Sequence, residues 1–462
     1  MIKDAIALRK ELEKYNEFWL TGKVKEAEKF PHKRFGFEEL KNEIDLKHMT
    51  FLIGPRRVGK SVLLKHIINH IIRDADTRNV FYYSFEVPTI SQYCENPIMD
   101  SFEYWYENIA KQGKKFFLVD EVHFIREWFK WLKAIYDRYD DVKIFVSGSS
   151  GISIQKDAIA YLKGRVIIHE IFPLTFREFL LLKDREIPKL DVKNIDEIDV
   201  RRICKQFKDD FKEYLLVGGL PEWFEVKDVD KWFKILTNML TKKAIYEDIA
   251  TLFGIKNTKI LENIFSFMVA NQSRILAYET INEVANLKHE ILTNYIEYLK
   301  ASYLIVEILK FAKIKEQLKS KKKYLCIDQG VRNATLLEYE IKEDNIGFII
   351  ENIVGLHLWY QSQKINTKLM YQRINDEIDF IFQKNKKNIP VEVKYRENIK
   401  DSDTHKLKDF MSKFDFEKGF ILTKDLFKKE GTIWFIPVIF YLLYIYDDMT
   451  NLTVHSDSTV LM

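Results

Sequence analysis

Residues 54–61 read GPRRVGKS, a loop in which two glycines lie five positions apart and are followed directly by Lys60 and Ser61. Only 16 of the 462 residues are glycine, so composition alone does not account for this spacing. In such a loop the glycines let backbone N–H groups point at phosphate oxygens, the lysine reaches the β- and γ-phosphates, and the serine binds Mg²⁺. The residues therefore predict a site for a nucleoside triphosphate with magnesium.

An acidic pair lies in FFLVDE, where Asp120 and Glu121 end an apolar run. We expect the first acid, at the tip of a neighbouring strand, to hold Mg²⁺. The second is placed to polarise an attacking water, which favours hydrolysis over simple binding. Taken alone, the run is more typical of an ordinary strand end that meets solvent. Ser147 and Ser149 end the next apolar run, and we expect Ser149 to contact the γ-phosphate or the water.

Strand and helix patterns alternate around these chemical groups. Apolar runs with a strand pattern lie at residues 49–53, 79–86, 114–121, 142–150 and 164–173. Continuous apolar strands separated by helices are typical of a parallel sheet that is covered on both faces. We therefore predict an α/β fold in which the glycine-rich loop connects the first strand to a helix, as a phosphate site requires.

The composition is that of a soluble and mildly basic protein. Apolar residues make up 47% and charged residues 31% of the chain, and the net charge of +4 gives no overall polyanion-binding signature. This length predicts two to four domains. The cysteines form no Cys-x-x-Cys pair, which argues against a cysteine zinc site and favours a reducing cytoplasm.

Neither end of the chain predicts a membrane association. Residues 1–20 are charged and helical in pattern, unlike a secretory signal. Residues 433–446 are apolar, but they are too few to span a membrane and contain Pro437. We expect a buried strand there that continues into a core helix.

The blocks GPRRVGKS, LVDE, SGSSG, GR with IFPLTFREF, and YLLVGGLPEWF follow one another along the chain. In this order they resemble a family of archaeal and bacterial P-loop ATPases of the AAA superfamily, similar to the signal-transducing STAND type. The resemblance implies a parallel-sheet P-loop NTPase core that hydrolyses ATP with Mg²⁺. It also implies a helical lid, a winged-helix domain and a C-terminal α/β restriction-endonuclease-like domain. The expected boundaries are an N-terminal helical segment 1–48, an ATPase core 49–180, a lid 181–254, a winged helix 255–328, a nuclease-like domain 329–446 and a polar tail 447–462.

The motifs and the resemblance together assign roles to individual residues. Nucleotide-binding residues are expected in the loop and the lid: Gly54, Pro55, Arg56, Arg57, Val58, Gly59, Lys60, Ser61, Val62, Gly219 and Pro221. The expected catalytic residues are Lys60, Glu121, Ser149 and Arg165, and the expected metal ligands are Ser61 and Asp120. In such proteins the Gly-Gly-x-Pro turn, which begins here at Gly218, lies over the adenine, although a plain turn between helices explains these residues equally well. Arg165 is a candidate γ-phosphate sensor or arginine finger.

A winged-helix pattern follows residue 255. Three helices precede two strands at 303–311 and 321–328, and the third helix carries an apolar stripe formed by Leu292, Tyr295, Ile296, Leu299 and Tyr303. Residues 310–323 contain seven lysines and one glutamate, a turn that could follow DNA phosphates. Alternatively, the domain is a spacer with a solvated turn. Glu290 and Glu297 on the outer face of the third helix argue against base recognition, so any DNA contact would be non-specific.

The last region carries a second chemical pattern. Glu392 and Lys394 share one face of a strand, and a hairpin can bring Asp379 beside them. With Glu351 on a preceding helix, they form the PD-(D/E)xK nuclease pattern, in which carboxylates hold Mg²⁺ and the lysine steadies the nucleophile. Glu-x-Lys is a common triplet, and a polar sheet edge with salt bridges would also contain it. The resemblance supports the fold at this position, and we expect the fold without robust cleavage.

Two functions remain open at this stage. The first is an ATP-driven switch that acts on DNA through its C-terminal domains. The second is an ATP-dependent regulator of the STAND type that binds proteins and makes no DNA contact, with an inactive nuclease-like domain. The expected partners are ATP, non-specific DNA, and a second copy of the chain or another protein. We expect no membrane partner and a cytoplasmic location.

Overall fold

The computed structural model describes residues 1–25, 32–148, 159–191, 195–250, 254–255, 257–373, 377–384 and 387–445. The chain divides into two compact units. Unit 1 comprises Met1–Phe172 and unit 2 comprises Pro173–Met462. The predicted tail, residues 447–462, lies outside the described residues.

Unit 1 is built on a five-stranded sheet with the order β2-β3-β4-β1-β5. Its strands are β1 Met49–Ile53, β2 Val80–Ser84, β3 Lys115–Asp120, β4 Val142–Gly148 and β5 Val166–Glu170. Every pair is parallel, and all residues of β1, β3 and β4 are buried. Such strands require cover on both faces, and the predicted parallel α/β sheet is confirmed.

Of the described helices of unit 1, three precede β1 in the chain, and the other four connect successive strands. They are α1 Ala5–Tyr15, α2 Phe18–Thr21, α3 Phe37–Asn42, α4 Lys60–Ile71, α5 Pro97–Asn108, α6 Trp128–Arg138 and α7 Ile159–Tyr161, with short 3₁₀ turns at Thr77–Asn79, Pro88–Gln92 and Val122–Phe124. Asn16, which ends α1, exchanges hydrogen bonds of 2.7 and 2.8 Å with the backbone of Tyr82. Trp19 donates to Val80 O at 2.6 Å. The N-terminal segment thus pairs the outer backbone groups of the edge strand β2, which would otherwise be open to another strand.

Unit 2 contains most of the helices. They are α8 Phe176–Leu182, α9 Glu197–Gln206, α10 Lys208–Val217, α11 Trp223–Val226, α12 Val229–Ile235, a π-helix Leu236–Ile249, α13 Thr258–Ala270, α14 Tyr278–Ala285, α15 His289–Ala301, α16 Ile314–Lys319, α17 Gln329–Leu336, α18 Glu343–Lys364, α19 Asp401–Phe414, α20 Val438–Phe440 and a second π-helix Tyr441–Ile445. On α15, the expected apolar stripe buries Leu292, Ile296 and Leu299.

The sheet of unit 2 has nine strands in the order β13-β14-β12-β11-β10-β9-β7-β8-β6. They are β6 Ile275–Leu276, β7 Ile305–Lys310, β8 Lys322–Cys326, β9 Leu369–Arg373, β10 Glu377–Lys384, β11 Lys387–Lys394, β12 Gly419–Thr423, β13 Lys428–Glu430 and β14 Ile433–Pro437. β7 pairs in parallel with β9, with Leu309 opposite Met370. One sheet therefore crosses the expected boundary at residue 328, and the winged-helix and nuclease-like domains stay predictions.

The structure corrects the lysine-rich turn. Its central part is the helix α16, and its last two lysines belong to β8. Lys322 is 6% exposed and Lys323 is fully buried, so neither can lie on a phosphate backbone. The error arose because a run of lysines was assumed to be solvated throughout, whereas strand pairing buries part of it.

The apolar segment near the C-terminus begins with the buried strand β14 and continues into α20 and the second π-helix. This arrangement agrees with the expected strand and core helix. In the part of the chain that the structure describes, no helix has both the length and the apolar character needed to cross a membrane.

Candidate functional site

The loop between β1 and α4 has the backbone that a phosphate site needs. Gly54 has φ +147°, and a Cβ atom there would lie 2.0 Å from the carbonyl oxygen of Ile171, so only glycine fits. Gly59 is left-handed, with φ +95°, at the start of α4. The free N–H groups of the first turn of α4 therefore follow directly after a glycine-permissive turn, where they favour an anion.

Lys60 is buried inside this loop. Its ammonium donates to Gly54 O at 3.1 Å and to Pro55 O at 2.7 Å. Burial lowers the pKa of Lys60, and the charges of Glu121 and Asp120 oppose that shift. The predicted phosphate-binding cation is thus held beside the predicted acids.

Asp120, at the end of β3, is 2% exposed and accepts several hydrogen bonds. Tyr82 donates to its Oδ2 at 2.9 Å, the hydroxyl of Ser147 donates to its Oδ1, and Ser61 also donates to it. Burial raises the pKa of Asp120 and the charge of Glu121 adds to this, while the three donors favour the ionised form. The structure therefore brings together Ser61 and Asp120, and a hydroxyl with a carboxylate suits the oxygen preference of Mg²⁺.

Glu121 differs from Asp120 in its environment. Its φ is +52°, a left-handed conformation that is uncommon outside glycine, and such outliers often occur at functional sites. Its Oε2 lies 3.1 Å from Nδ1 of His123, and its side chain is 17% exposed. The turn thus separates a buried acid that can hold a metal from a more accessible acid that can reach water.

The remaining residues of unit 1 that were expected to bind nucleotide or assist catalysis differ in burial and contacts. Ser149 lies outside the described residues. Arg165 donates from Nε to Asp137 Oδ1 at 2.9 Å, and its catalytic role stays a prediction. Arg56, Arg57 and Val62 are half-buried in or next to the loop.

Three positioning residues escaped the sequence reasoning or were undervalued. Tyr82 and Ser147 hold Asp120, and the buried guanidinium of Arg34 donates to the carbonyl oxygens of Val58, in the loop, and Phe172. Ser147 could have been preferred to Ser149 from its strand position, because it is a polar residue within a buried strand. No local signal identifies Tyr82 or Arg34.

Gly218 and Gly219 lie between α10 and α11 in unit 2. The Gly219 N–H donates to Asp328 at 2.7 Å, and burial raises the pKa of that carboxyl to about 6. A Cβ atom would lie 2.2 Å from Asp328 Oδ1 at Gly218 and 2.4 Å from Leu174 O at Gly219. Close packing within unit 2 already requires both glycines, and a nucleotide role for Gly219 and Pro221 stays a prediction.

The hairpin of β10 and β11 brings the C-terminal triplet together. Asp379 Oδ2 accepts the Val393 N–H at 2.8 Å, and the Asp379 N–H donates to Glu392 at 3.3 Å. Lys394 Nζ lies 3.3 Å from Glu392 and 3.8 Å from Asp379. The expected juxtaposition of these residues is therefore present.

Two residues that the sequence analysis missed complete this acid cluster. Lys323 Nζ, fully buried, lies 2.7 Å from Glu351 and 2.8 Å from Glu377. Carboxylate oxygens of Glu351, Glu377 and Asp379 lie within 4.8 Å of one another. Glu377 could have been found, because it precedes Asp379 by two positions and therefore shares its strand face.

Burial and neighbouring charges shift the pKa values of the acids in this cluster. Burial and the charge of Asp379 raise the pKa of Glu351 to about 8, and they also raise the pKa of Glu392. Burial opposes ionisation of Asp379 too, but Lys394, Lys323 and hydrogen bonds hold its pKa below the usual range. The two lysines therefore favour the ionised form of Asp379, although the Lys323 ammonium lies nearer to Glu351 than to the Asp379 carboxylate.

Three family models match the chain. Residues 46–180 match a family described as an AAA domain. Residues 208–340 and 346–441 match two domains of unknown function, DUF8612 and DUF4143. Together with the parallel sheet and the glycine loop, the first match shows that this part of the chain has the fold of an AAA-superfamily P-loop NTPase.

Similar proteins occur in Methanocaldococcus jannaschii. One uncharacterised protein is 25% identical over 438 residues, covering 89% of each chain, and another is 29% identical over 347 residues, covering 74% of this chain and 73% of the relative. Among solved structures, the Orc1 protein of Aeropyrum pernix in complex with DNA is 12% identical, covering 67% of this chain and 93% of that chain. Its TM-score is 0.31.

Proposed function

We propose that unit 1 binds ATP with Mg²⁺ and hydrolyses it, and that the protein is an ATP-driven switch acting on DNA through unit 2. The proposal of ATP hydrolysis rests on the assembly of Lys60, Ser61 and Asp120 at the carboxyl ends of β1 and β3. A phosphate loop without a metal-binding acid would fit simple anion binding, but this combination fits phosphoryl transfer.

Each residue then has a distinct task. The ammonium of Lys60 leaves the loop carbonyls for the β- and γ-phosphates, while the N-terminus of α4 binds phosphate oxygens through its N–H groups. Ser61 and Asp120 would hold Mg²⁺, which when bound supplies positive charge against the phosphates. Glu121 accepts a proton from the attacking water or orients that water, because its carboxylate is more accessible than that of Asp120.

Substitution of Glu121 by Gln tests the hydrolytic step. We expect Glu121→Gln to bind a fluorescent ATP analogue normally but release phosphate at least about a hundredfold more slowly, because only the base is lost. Lys60→Ala should lose the binding itself. The matched control is Glu127→Gln, an exposed acid nearby that pairs with Lys130, which should retain turnover. Normal turnover in Glu121→Gln would remove this residue from the mechanism.

The DNA part of the proposal is supported by the surface of α16 and its flanks. Lys313, Lys315, Lys319 and Lys321 are exposed there, and Lys310 pairs with the one glutamate of the segment at 2.8 Å. Four exposed ammonium groups on a short helix and its flanks can contact phosphates without base recognition. The buried Lys322 and Lys323 are excluded from this surface.

Charge-neutral replacement of the four exposed lysines by Gln tests this surface. Each lost phosphate contact should reduce the slope of log affinity against log salt by about 0.9, so the slope should fall by up to about 4. The control replaces exposed lysines of equal number in the lid region, namely Lys205, Lys208, Lys227 and Lys231. Unchanged affinity and slope would reject DNA contact through α16.

Two observations favour the alternative, a regulator that binds proteins. The exposed positions of α15 are His289, Glu290, Ile291, Asn294 and Glu297, a face with two acids and neither lysine nor arginine for a DNA groove. Ile314 and Leu318 on α16 are 73% and 70% exposed, which suits an apolar partner. ATP turnover that is insensitive to duplex and single-stranded DNA at low salt would favour this alternative.

A further inference from the structure

The acid cluster of unit 2 encloses a buried cation that belongs to the chain itself. Lys323, in β8, reaches the cluster with its whole side chain out of solvent. Glu351 approaches from α18, and Glu377 and Asp379 approach from β10. A positively charged group with no access to water is costly unless its partners neutralise it, so this contact is a strong requirement of the fold.

All three N–H donors of this ammonium have acceptors. The Nζ atom lies 2.7 Å from Glu351 Oε1, 2.8 Å from Glu377 Oε1 and 3.2 Å from the backbone oxygen of Asp379. An ammonium group has three donors, so the hydrogen-bonding capacity of Lys323 is used completely. The Asp379 carboxylate lies somewhat further away, at 3.9 Å.

The position of Lys323 is the position that a metal ion would need. Carboxylate oxygens of Glu351, Glu377 and Asp379 lie within 4.8 Å of one another, a spacing that brackets one divalent cation. The ammonium lies against all three carboxylates. A metal ion and Lys323 would compete for the same oxygens, and their like charges would repel at contact distance.

We propose that Lys323 is the resident cation of this cluster and excludes divalent metals from it. In the native chain the acids then fasten β8, α18 and β10 to one another instead of supporting metal-dependent cleavage of nucleic acid. This inference concerns unit 2 alone and does not depend on ATP hydrolysis in unit 1.

The test measures binding of Mn²⁺ to the full chain without nucleotide, by the loss of the free-ion electron paramagnetic resonance signal. Asp120→Asn is present throughout, so that unit 1 does not contribute. We expect this Asp120→Asn parent to show no Mn²⁺ binding that Asp379→Asn removes. Adding Lys323→Ala should create one Mn²⁺ site per chain, with at least a tenfold gain in affinity, and further addition of Asp379→Asn should abolish it.

The neighbouring Lys322 supplies the matched control. It is also buried, but it donates to the carbonyl oxygens of Gln317 and Leu318 and not to an acid, so Lys322→Ala should gain no site. A parent that already binds Mn²⁺, with binding lost in Asp379→Asn, would overturn the proposal. So would a folded Lys323→Ala chain that binds no Mn²⁺. If Lys323→Ala fails to fold, the parent measurement decides. Mn²⁺ binding that depends on Asp379 overturns the inference, and the absence of such binding supports it.

Discussion

Replacement of Tyr82 by Phe tests how unit 1 prepares Asp120 for magnesium. The Tyr82 hydroxyl donates to a carboxylate that is almost wholly buried, at 2.9 Å. Burial and the charge of Glu121 raise the pKa of Asp120, whereas the hydroxyl donors lower it. Loss of one donor should therefore raise the pKa of Asp120, so that more chains are protonated at mildly acidic pH and cannot bind the metal.

The size of the effect follows from the strength of this hydrogen bond. A hydrogen bond to a charged group contributes about 1.5–3 kcal/mol, which corresponds to a change of about 10- to 150-fold in an equilibrium constant. At pH 6 we expect the Mg²⁺ concentration for half-maximal ATP turnover to rise about tenfold or more in Tyr82→Phe. At pH 8.5 the difference should shrink, because a higher pH favours the ionised carboxylate in both proteins. Phosphate release at varied Mg²⁺ measures this.

Tyr83→Phe is the matched control, because the Tyr83 hydroxyl donates to Glu11 at 3.3 Å and not to Asp120. It removes the same atom from the adjacent position of β2 and should leave the Mg²⁺ dependence unchanged. Equal half-saturation in Tyr82→Phe and the parent at both pH values would refute the reasoning. A deficit of the same size at pH 6 and pH 8.5 would also refute it, because the effect would then not act through the protonation of Asp120.

Three further predictions concern burial and backbone geometry. Burial lowers the pKa of His357 from 6.5 to about 4. The unfolded chain therefore binds a proton at this residue before the folded chain does, and the free energy of unfolding should fall by about 3 kcal/mol as the pH drops from 6.5 towards 4. Urea unfolding of His357→Gln should show a smaller loss over this range, and parallel pH profiles would contradict the prediction. Gly54→Ala should abolish binding of the ATP analogue, because its Cβ would clash with Ile171 O at 2.0 Å, and retained binding would contradict a tight loop. Gly219→Ala should lower the thermal midpoint even without nucleotide, because its Cβ would meet Leu174 O at 2.4 Å; an effect seen only with ATP would instead favour the adenine role.

The parallel sheet and the phosphate loop were predictable because their signals are local. Each signal lies within a short segment of sequence: the continuous apolar strands, the helix that starts at Lys60, and the glycine at each loop position where φ exceeds +90°. The acid at the end of β3 was predictable for a related reason, since strand ends in a parallel sheet meet at one edge. The lysine-rich segment was misjudged because charge alone does not reveal which residues a neighbouring strand will cover.

The sequence by itself determined the chemistry available to the protein: a lysine and a serine after a glycine loop, paired acids at a strand end, and a late Asp with Glu-x-Lys. Tertiary structure alone decided what surrounds those groups. Tyr82 meets Asp120 across 38 positions of sequence, and Lys323 meets Glu351 across 28 and Asp379 across 56. Such contacts arise from the pairing of strands and the packing of helices on them, which local periodicity does not specify. The sequence placed Glu351 and Asp379 in a predicted metal site, whereas the fold adds Glu377 and the buried ammonium of Lys323, on which our proposal of a different cation rests.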